Sequence, residues 1–441
     1  MIRTADQIEA AVAYLFETRD TTLGIPGQLD TIRLRGRLLV PSEQAYPQIA
    51  ASLREMGYTA LLRRDDDGDL DVLLAVPGVM PQESGSRLWV NALLYVLTIL
   101  TTLYAGVYLS DQVPFDADLA WIVTHLWLGW PFALSLMTIL TGHELGHYFS
   151  GRYYRVPVSL PYFIPLPVPP LGTMGAFIMM KGRSVNRRQM LTVGAAGPLV
   201  GFVLAVPILL LGLSLSTITP MNAGEGIMME GNSLLYLLFK YIVFGQVLPG
   251  SGDPASIMAT LKEIGAALLA FFPVDSGYDV FVHPVAFAGW AGLLVTALNL
   301  LPVGQLDGGH VLYSLVGQKA RVLTWPLIGL LLVMGIFLWQ GWLLWAFMLF
   351  FFGRSHPDPL DDVTRLDAPR IIVAVCVLLI FVLTFTPVPL QMIFPDTPAQ
   401  PSGPESSCLA TVGLVAAASF AFVRWNRARP RAGTSEGGQD G

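Results

Sequence analysis

The chain has 441 residues, of which 53% are hydrophobic and only 13% charged, with a net charge of −6. Soluble domains carry about a quarter charged residues, so this composition excludes a water-soluble globule and indicates a mostly α, polytopic membrane helical bundle. No basic run interleaved with aromatics is present, which excludes nucleic acid as a partner, and Cys376 and Cys408, both in apolar segments, supply neither a disulfide framework nor a thiolate metal site.

Residues 1–86 are polar and read as a small soluble α+β N-terminal domain. The opening, MIRTADQIEA, lacks the apolar core of a signal peptide, so no cleaved leader is expected. Apolar residues at helical spacing predict a helix over Asp6–Phe16, and a second amphipathic helix is predicted over Ser42–Met56. Thr31–Val40, Thr59–Arg63 and Leu70–Val76 alternate as half-buried strands, the last two joined by the turn Asp65-Asp66-Asp67-Gly68. That acidic turn lacks the spaced ligands and terminal Glu of an EF-hand, and a solvated hairpin is expected.

Residues 87–424 read as the membrane domain, with about eight spans. Leu88–Leu109 is the first and Leu119 to about Tyr148 the second. Between 157 and 180, Pro157, Pro161, Pro165, Pro167, Pro169 and Pro170 forbid a regular helix in a strongly apolar stretch. Irregular backbone at membrane depth must be satisfied by protein or by a water-filled cavity, so a membrane-associated β-hairpin region is expected there, with Gly172–Ile178 as an extended edge. Met190–Leu215 follows, with Gly194, Gly197-Pro198 and Gly201 at a spacing that lets another helix approach closely. Leu234–Val247 and Ile257–Phe272 are short and interrupted by charge, so the sequence leaves open whether 234–272 crosses the membrane. Pro284–Leu301 is the next span, Val322–Gln340 and Trp342–Phe352 form a tight hairpin, and Ile371–Phe385 with Leu409–Val423 close the bundle. The tail, 425–441, is expected to be disordered. Arg152, Arg155, Lys181, Arg183, Arg187, Arg188, Lys319 and Arg321 place one end of the bundle, and with it both termini, at the cytoplasm of a multi-pass cell-membrane protein.

The chemistry is concentrated in Thr141-Gly-His143-Glu144-Leu-Gly-His147. Two histidines four apart share a helix face and can hold one metal ion, while Glu144 beside them can take a proton from an activated water. A zinc ion used in hydrolysis needs three protein ligands and an open position. Asp307 is the best third candidate, because Pro302 and flanking glycines break the helix at the same membrane end. His310, three residues on, stays open on spacing; His283 lies at the other face of the membrane, which argues against it. Asn299 offers an amide donor either to substrate or to a neighbouring helix.

The two motifs, His143-Glu144-Leu145-Gly146-His147 and Asn299-x-x-Pro302-x-x-x-x-Asp307-Gly308, resemble those of the site-2 protease family of intramembrane zinc metalloproteases. The resemblance covers about residues 120–320. The run Trp290–Gly309 and the soluble N-terminal domain make it similar to the branch typified by the plastid ethylene-dependent gravitropism-deficient and yellow-green proteins and their bacterial relatives. Relatives in that branch often carry a Gly-Asn pair where this chain has Arg35-Gly36-Arg37, and no PDZ-like or CBS-like module is recognised here. The resemblance implies one zinc ion bound by His143, His147 and Asp307, with Glu144 as catalytic base and Asn299 assisting. It further implies cleavage of peptide bonds within or next to transmembrane helices of membrane-protein substrates, as in regulated intramembrane proteolysis. The alternatives are a proteolytically inactive scaffold of the same fold and a metal-handling transporter, in which Glu144 has no evident task. Substrate identity and homo-oligomer formation are not legible; the N-terminal domain is expected to select substrates.

Overall fold

The computed structural model describes residues 2–25, 28–65, 70–79, 87–114, 116–180, 182–220, 227–245, 278–352 and 358–393, with 264, 265 and 267–269. Met1–Asn222 and Met228–Met392 form one compact unit; Ala223–Ile227 with Ile393–Gly441 form a second, almost wholly outside the described residues. The expected last span, Leu409–Val423, and the tail fall there.

The N-terminal part is an antiparallel sheet of order β1-β2-β4-β3: β1 is Phe16–Ile25, β2 Gln28–Leu38, β3 Tyr58–Arg64 and β4 Asp71–Pro77. Alternation builds its core. Ile32, Leu34, Leu62 and Leu73 are buried together with Ile8 and Val12 of α1 (Ile2–Val12) and Ile49 and Leu53 of α2 (Ser42–Glu55). The expected helix over Asp6–Phe16 stops at Val12, and β1 was not anticipated. Glu17-Thr-Arg-Asp-Thr-Thr shows no apolar alternation; β1 is an edge strand placed by its pairing to β2, with register shifts at Thr18/Asp20 and Leu23/Ile25. The β3–β4 hairpin is as expected, and Asp65 receives Arg33 and Arg35.

The free edge of β3 is closed by distant chain. Leu62 donates its N–H to Leu360 O at 2.8 Å and accepts from Asp362 N at 3.0 Å, while Leu360 and Asp361 donate to Ser184 O and Val185 O at 3.0 and 2.7 Å. Residues 360–362 thus lie as a short strap between the sheet and the segment leading into α6 (Arg187–Ser214). Val185, Leu360 and Val363 pack against the soluble core, and Arg187 pairs with Asp362 at 2.8 Å. The N-terminal sheet and the apolar helices belong to one compact unit.

In the membrane part, α3 (Leu88–Val107), α6 and the run Asp307–Phe337 are long and apolar enough to cross a bilayer. Pro284–Asn299, Gly341–Phe351, Ala368–Thr384 and Leu234–Phe244 are shorter apolar helices, so three full-length spans stand among the described residues where about eight were expected. The second expected span is not continuous. It divides into α4 (Leu119–Thr124), a 3-10 turn (Leu126–Gly129) and α5 (Trp130–Tyr153), because the chain leaves helical geometry at His125 and Pro131 restarts it without needing an N–H partner. The proline-rich stretch is a hairpin as expected, β5 (Tyr162–Pro165) against β6 (Thr173–Phe177), extended by the Val158–Met180 bridge. Beyond α6, β7 (Thr217–Pro220) pairs with β9 (Tyr278–Phe281); β8 (Ile227–Glu230) and α7 (Leu234–Phe244) lie between them in sequence. Most of Ile257–Phe272 is outside the described residues. Then come α8 (Pro284–Asn299), α9 (Asp307–Val316), α10 (Thr324–Phe337), α11 (Gly341–Phe352), α12 (Ala368–Thr384) and β10 (Leu390–Ile393). The core lies where α5, α6 and α8 meet, around Leu136, Leu140, Leu209, Leu213 and Trp290.

The strap is held by Asp361, which is 1% exposed and accepts from Val363 N at 2.9 Å, Thr364 N at 3.2 Å and the Thr364 hydroxyl. Burial pushes its carboxyl above the ordinary carboxylate range, against those hydrogen bonds. A raised folded-state value means that the stability this group contributes is present below its unfolded pKa and is lost as pH rises through the folded one. Asp361→Asn is expected to remove that pH dependence without lowering stability at neutral pH. Asp361→Leu leaves two amides without an acceptor and is expected to cost about 1–3 kcal/mol. Hydrogen exchange at Leu62 and Leu360 checks this; parent-like protection in Asp361→Leu would show that Asp361 does not hold the strap.

Candidate metal centre

Helical spacing on α5 stacks His143 over His147 one turn apart, with Glu144 beside them; they are 3%, 6% and 4% exposed. Asp307 arrives from a different helix. Asn299 ends α8 and Asp307 opens α9, with Pro302 in the break between them. Gly308 is needed at this junction, since a Cβ there would stand 2.0 Å from Leu300 O. The close crossing of the two helix ends turns the Asp307 carboxylate onto α5.

Three donor atoms then converge. His143 Nε2 and His147 Nε2 are 3.3 Å apart, and Asp307 Oδ2 is 3.4 Å from the first and 3.1 Å from the second. Tetrahedral bonds of about 2.0–2.1 Å separate ligand atoms by about 3.3 Å, so the triangle has the size that a zinc-like ion requires. The His147 Nδ1–H donates to Val193 O at 2.8 Å, which fixes the tautomer and leaves Nε2 with its lone pair toward the triangle. Two imidazole nitrogens and a carboxylate oxygen facing one point are the donor types that zinc takes. Among the described residues, this is the one group of three such donors close enough to hold an ion.

The remaining candidates sort by position. Asn299 Nδ2 is 3.3 Å from His143 Nε2, so its amide reaches the same point. Glu144 Oε2 is buried with no hydrogen-bond partner among the described residues, free to receive a proton from a small molecule in the site. His310 is buried one turn into α9 but lies outside the triangle. His283 caps the far end of α8, accepting from Val285 N.

Gly194, Gly197 and Gly201, a packing stripe by their spacing, have particular partners in the fold. Two of them pack against the site itself: a Cβ on Gly197 would stand 2.1 Å from His147 Nε2 and on Gly201 3.0 Å from His143 Nδ1, while Gly194 faces His310, 2.9 Å from its Cβ. The small-residue spacing was the available signal; what lay opposite it was not visible in sequence.

The family model of peptidase family M50 matches residues 131–336, a stretch that begins one residue into α5 and includes every member of the triangle. Over that stretch the chain resembles peptidase family M50. Similar proteins include the probable zinc metalloprotease EGY2, chloroplastic, of Arabidopsis thaliana, 28% identical over 75% of this chain and 55% of that protein. The probable zinc metalloprotease EGY1, chloroplastic, of the same plant is 32% identical over 58% of this chain and 43% of its own length. The probable zinc metallopeptidase EGY3, chloroplastic, is 24% identical over 80% and 60%. These are the branch that the sequence resemblance indicated. The chain spans about half the length of the EGY2 proteins it matches. No solved structure matches it.

Gly197→Ala should leave α6 helical, since alanine is the better helix former, but displace the His147 ring. Metal affinity, measured by competition with a chelator, is expected to fall about 10–100-fold. Parent-like affinity would show that the glycine cradle does not matter for the ion.

Proposed function

We propose that this chain is an intramembrane zinc metalloprotease that hydrolyses peptide bonds within or next to transmembrane helices of membrane proteins. The observation that carries the reading is the triangle of His143 Nε2, His147 Nε2 and Asp307 Oδ2 beside a buried, partly unpartnered Glu144. Three protein ligands leave a tetrahedral position open, the arrangement of catalytic rather than structural zinc. When bound, zinc would supply Lewis acidity toward the scissile carbonyl and make a nearby water more acidic.

The chain's own residues perform the rest. Glu144 takes the proton of the attacking water and passes it to the departing amine. Asn299, at the same point, donates its amide to the carbonyl oxygen as negative charge develops there. A substrate helix has its carbonyls engaged in i to i+4 bonds, so the segment to be cut must first be extended. The β5–β6 hairpin offers strand pairing for that purpose, and Tyr95 links it to the metal helix: its ring meets Phe163 at 4.9 Å and its hydroxyl is 3.4 Å from Thr141 Oγ1. The excess of Lys and Arg at this end of the bundle supports a cytoplasmic active-site end. The N-terminal sheet, held to the start of α6 through residues 360–362, is the part that selects substrates. A transporter or an inactive scaffold would leave the placement of Glu144 without a task.

The test compares the purified full chain with Glu144→Gln on a panel of single-span helical substrates, with zinc quantified in both. Equal zinc with cleavage lowered about 10²–10⁴-fold in the variant is expected. Equal cleavage by both would exclude Glu144 as the base; zinc in both with cleavage by neither would favour transport or scaffolding.

A further inference from the structure

The α3 helix carries a buried amide that the reaction leaves without a part. Asn91 is 7% exposed in the first turn of a mostly apolar span, where burying an amide is costly unless its hydrogen bonds are made. Its Nδ2 donates to Leu160 O at 3.2 Å and to Pro161 O at 2.7 Å. These are the last carbonyls before β5, in proline-bearing backbone that cannot satisfy them by helical bonding. The Asn91 Oδ1 has no partner among the described residues, so the side chain acts through its donors.

The hairpin runs on along the same helix. One turn above Asn91, Tyr95 meets Phe163 edge to face. Farther up, Gly172 (φ +71°) rests on the Thr101 carbonyl, where a Cβ would stand 2.3 Å away. Ten residues of helix separate Asn91 from Thr101, a rise of about 15 Å and so about half of a 30 Å hydrocarbon core. The level of the metal helix is marked on this scale by Tyr95 and Thr141, two residues before His143. The upper contacts are an edge-to-face ring pair and close backbone packing. The bonds from Asn91 are directional and fix the base of the hairpin.

We propose that Asn91 is a positioning residue that sets the depth of the β5–β6 hairpin against the metal helix and thereby fixes which peptide bond of an extended substrate is cut. Its consequence for cleavage rests on the proteolytic reading; the anchoring does not. Strand pairing repeats every two residues, so a loosened hairpin permits substrate slips of that size.

The experiment uses the full chain with Asn91→Leu, which keeps the volume and removes the donors. Hydrogen exchange over 160–177 is expected to quicken about tenfold or more, with the soluble sheet unchanged and metal content equal to the parent. On a single-span substrate that the parent cuts once, mass spectrometry should show added cuts two residues away. KM should rise several-fold while kcat stays within about twofold. Asn91→Gln, which keeps the two donors, should restore protection and the single cut, and it serves as the test where Asn91→Leu fails to fold. Unchanged hairpin exchange, or a Gln variant as unprotected as the Leu one, would overturn the anchor. Faster exchange with the parent's single cut and KM would overturn the positioning role. A parent that cuts no substrate would count against the proteolytic reading, while exchange would still decide the anchor.

Discussion

Three lone-pair donors facing one point inside a membrane protein are the constraint on which the rest of the molecule depends. His143 Nε2, His147 Nε2 and Asp307 Oδ2 stand 3.1–3.4 Å apart, the spacing at which three ligand atoms share one tetrahedral ion. Their convergence requires two helices that do not follow one another in the chain. The α6 helix makes this possible: its glycines give the imidazole rings room, and its Val193 carbonyl sets the tautomer of His147. A helix that packed equally tightly through larger side chains would exclude the rings.

The same helix carries the constraint outward. It begins at Arg187, next to the segment where residues 184–186 pair with the strap, and the strap closes the edge of the soluble sheet. Backbone hydrogen bonds therefore run from the N-terminal sheet to the start of the helix that cradles the site. On the other side of α5, the hairpin is fixed to α3 by Asn91, Tyr95 and Gly172, so extended backbone at membrane depth has its partners from protein rather than from water.

Much of the site was legible in the sequence because its signals are local and periodic. The four-residue spacing of His143 and His147 reads directly on a helix, and Pro302 with the glycines beside Asp307 marks a break that frees a carboxylate. What was missed depends on partners far away in the chain. Asn91 looks like one tolerated polar residue in an apolar run until Leu160 and Pro161 are placed beside it. The strap is three residues long and has no periodicity of its own, so nothing in the sequence marks it. The β1 strand lacked alternation because pairing, not burial, holds it. The second expected span divided because Pro131 starts a helix as readily as it ends one, and hydropathy averaged over the run does not register the bend.

The most direct measurement of the central claim is the metal content of the purified full chain after dialysis against a weak chelator, for the parent, Asp307→Ala, His310→Ala and His283→Ala. The geometry predicts about one zinc ion per chain in the parent and in both histidine variants, and loss of the ion in Asp307→Ala. Retention in Asp307→Ala together with loss in His310→Ala would contradict the triangle and put the third ligand one turn farther along α9.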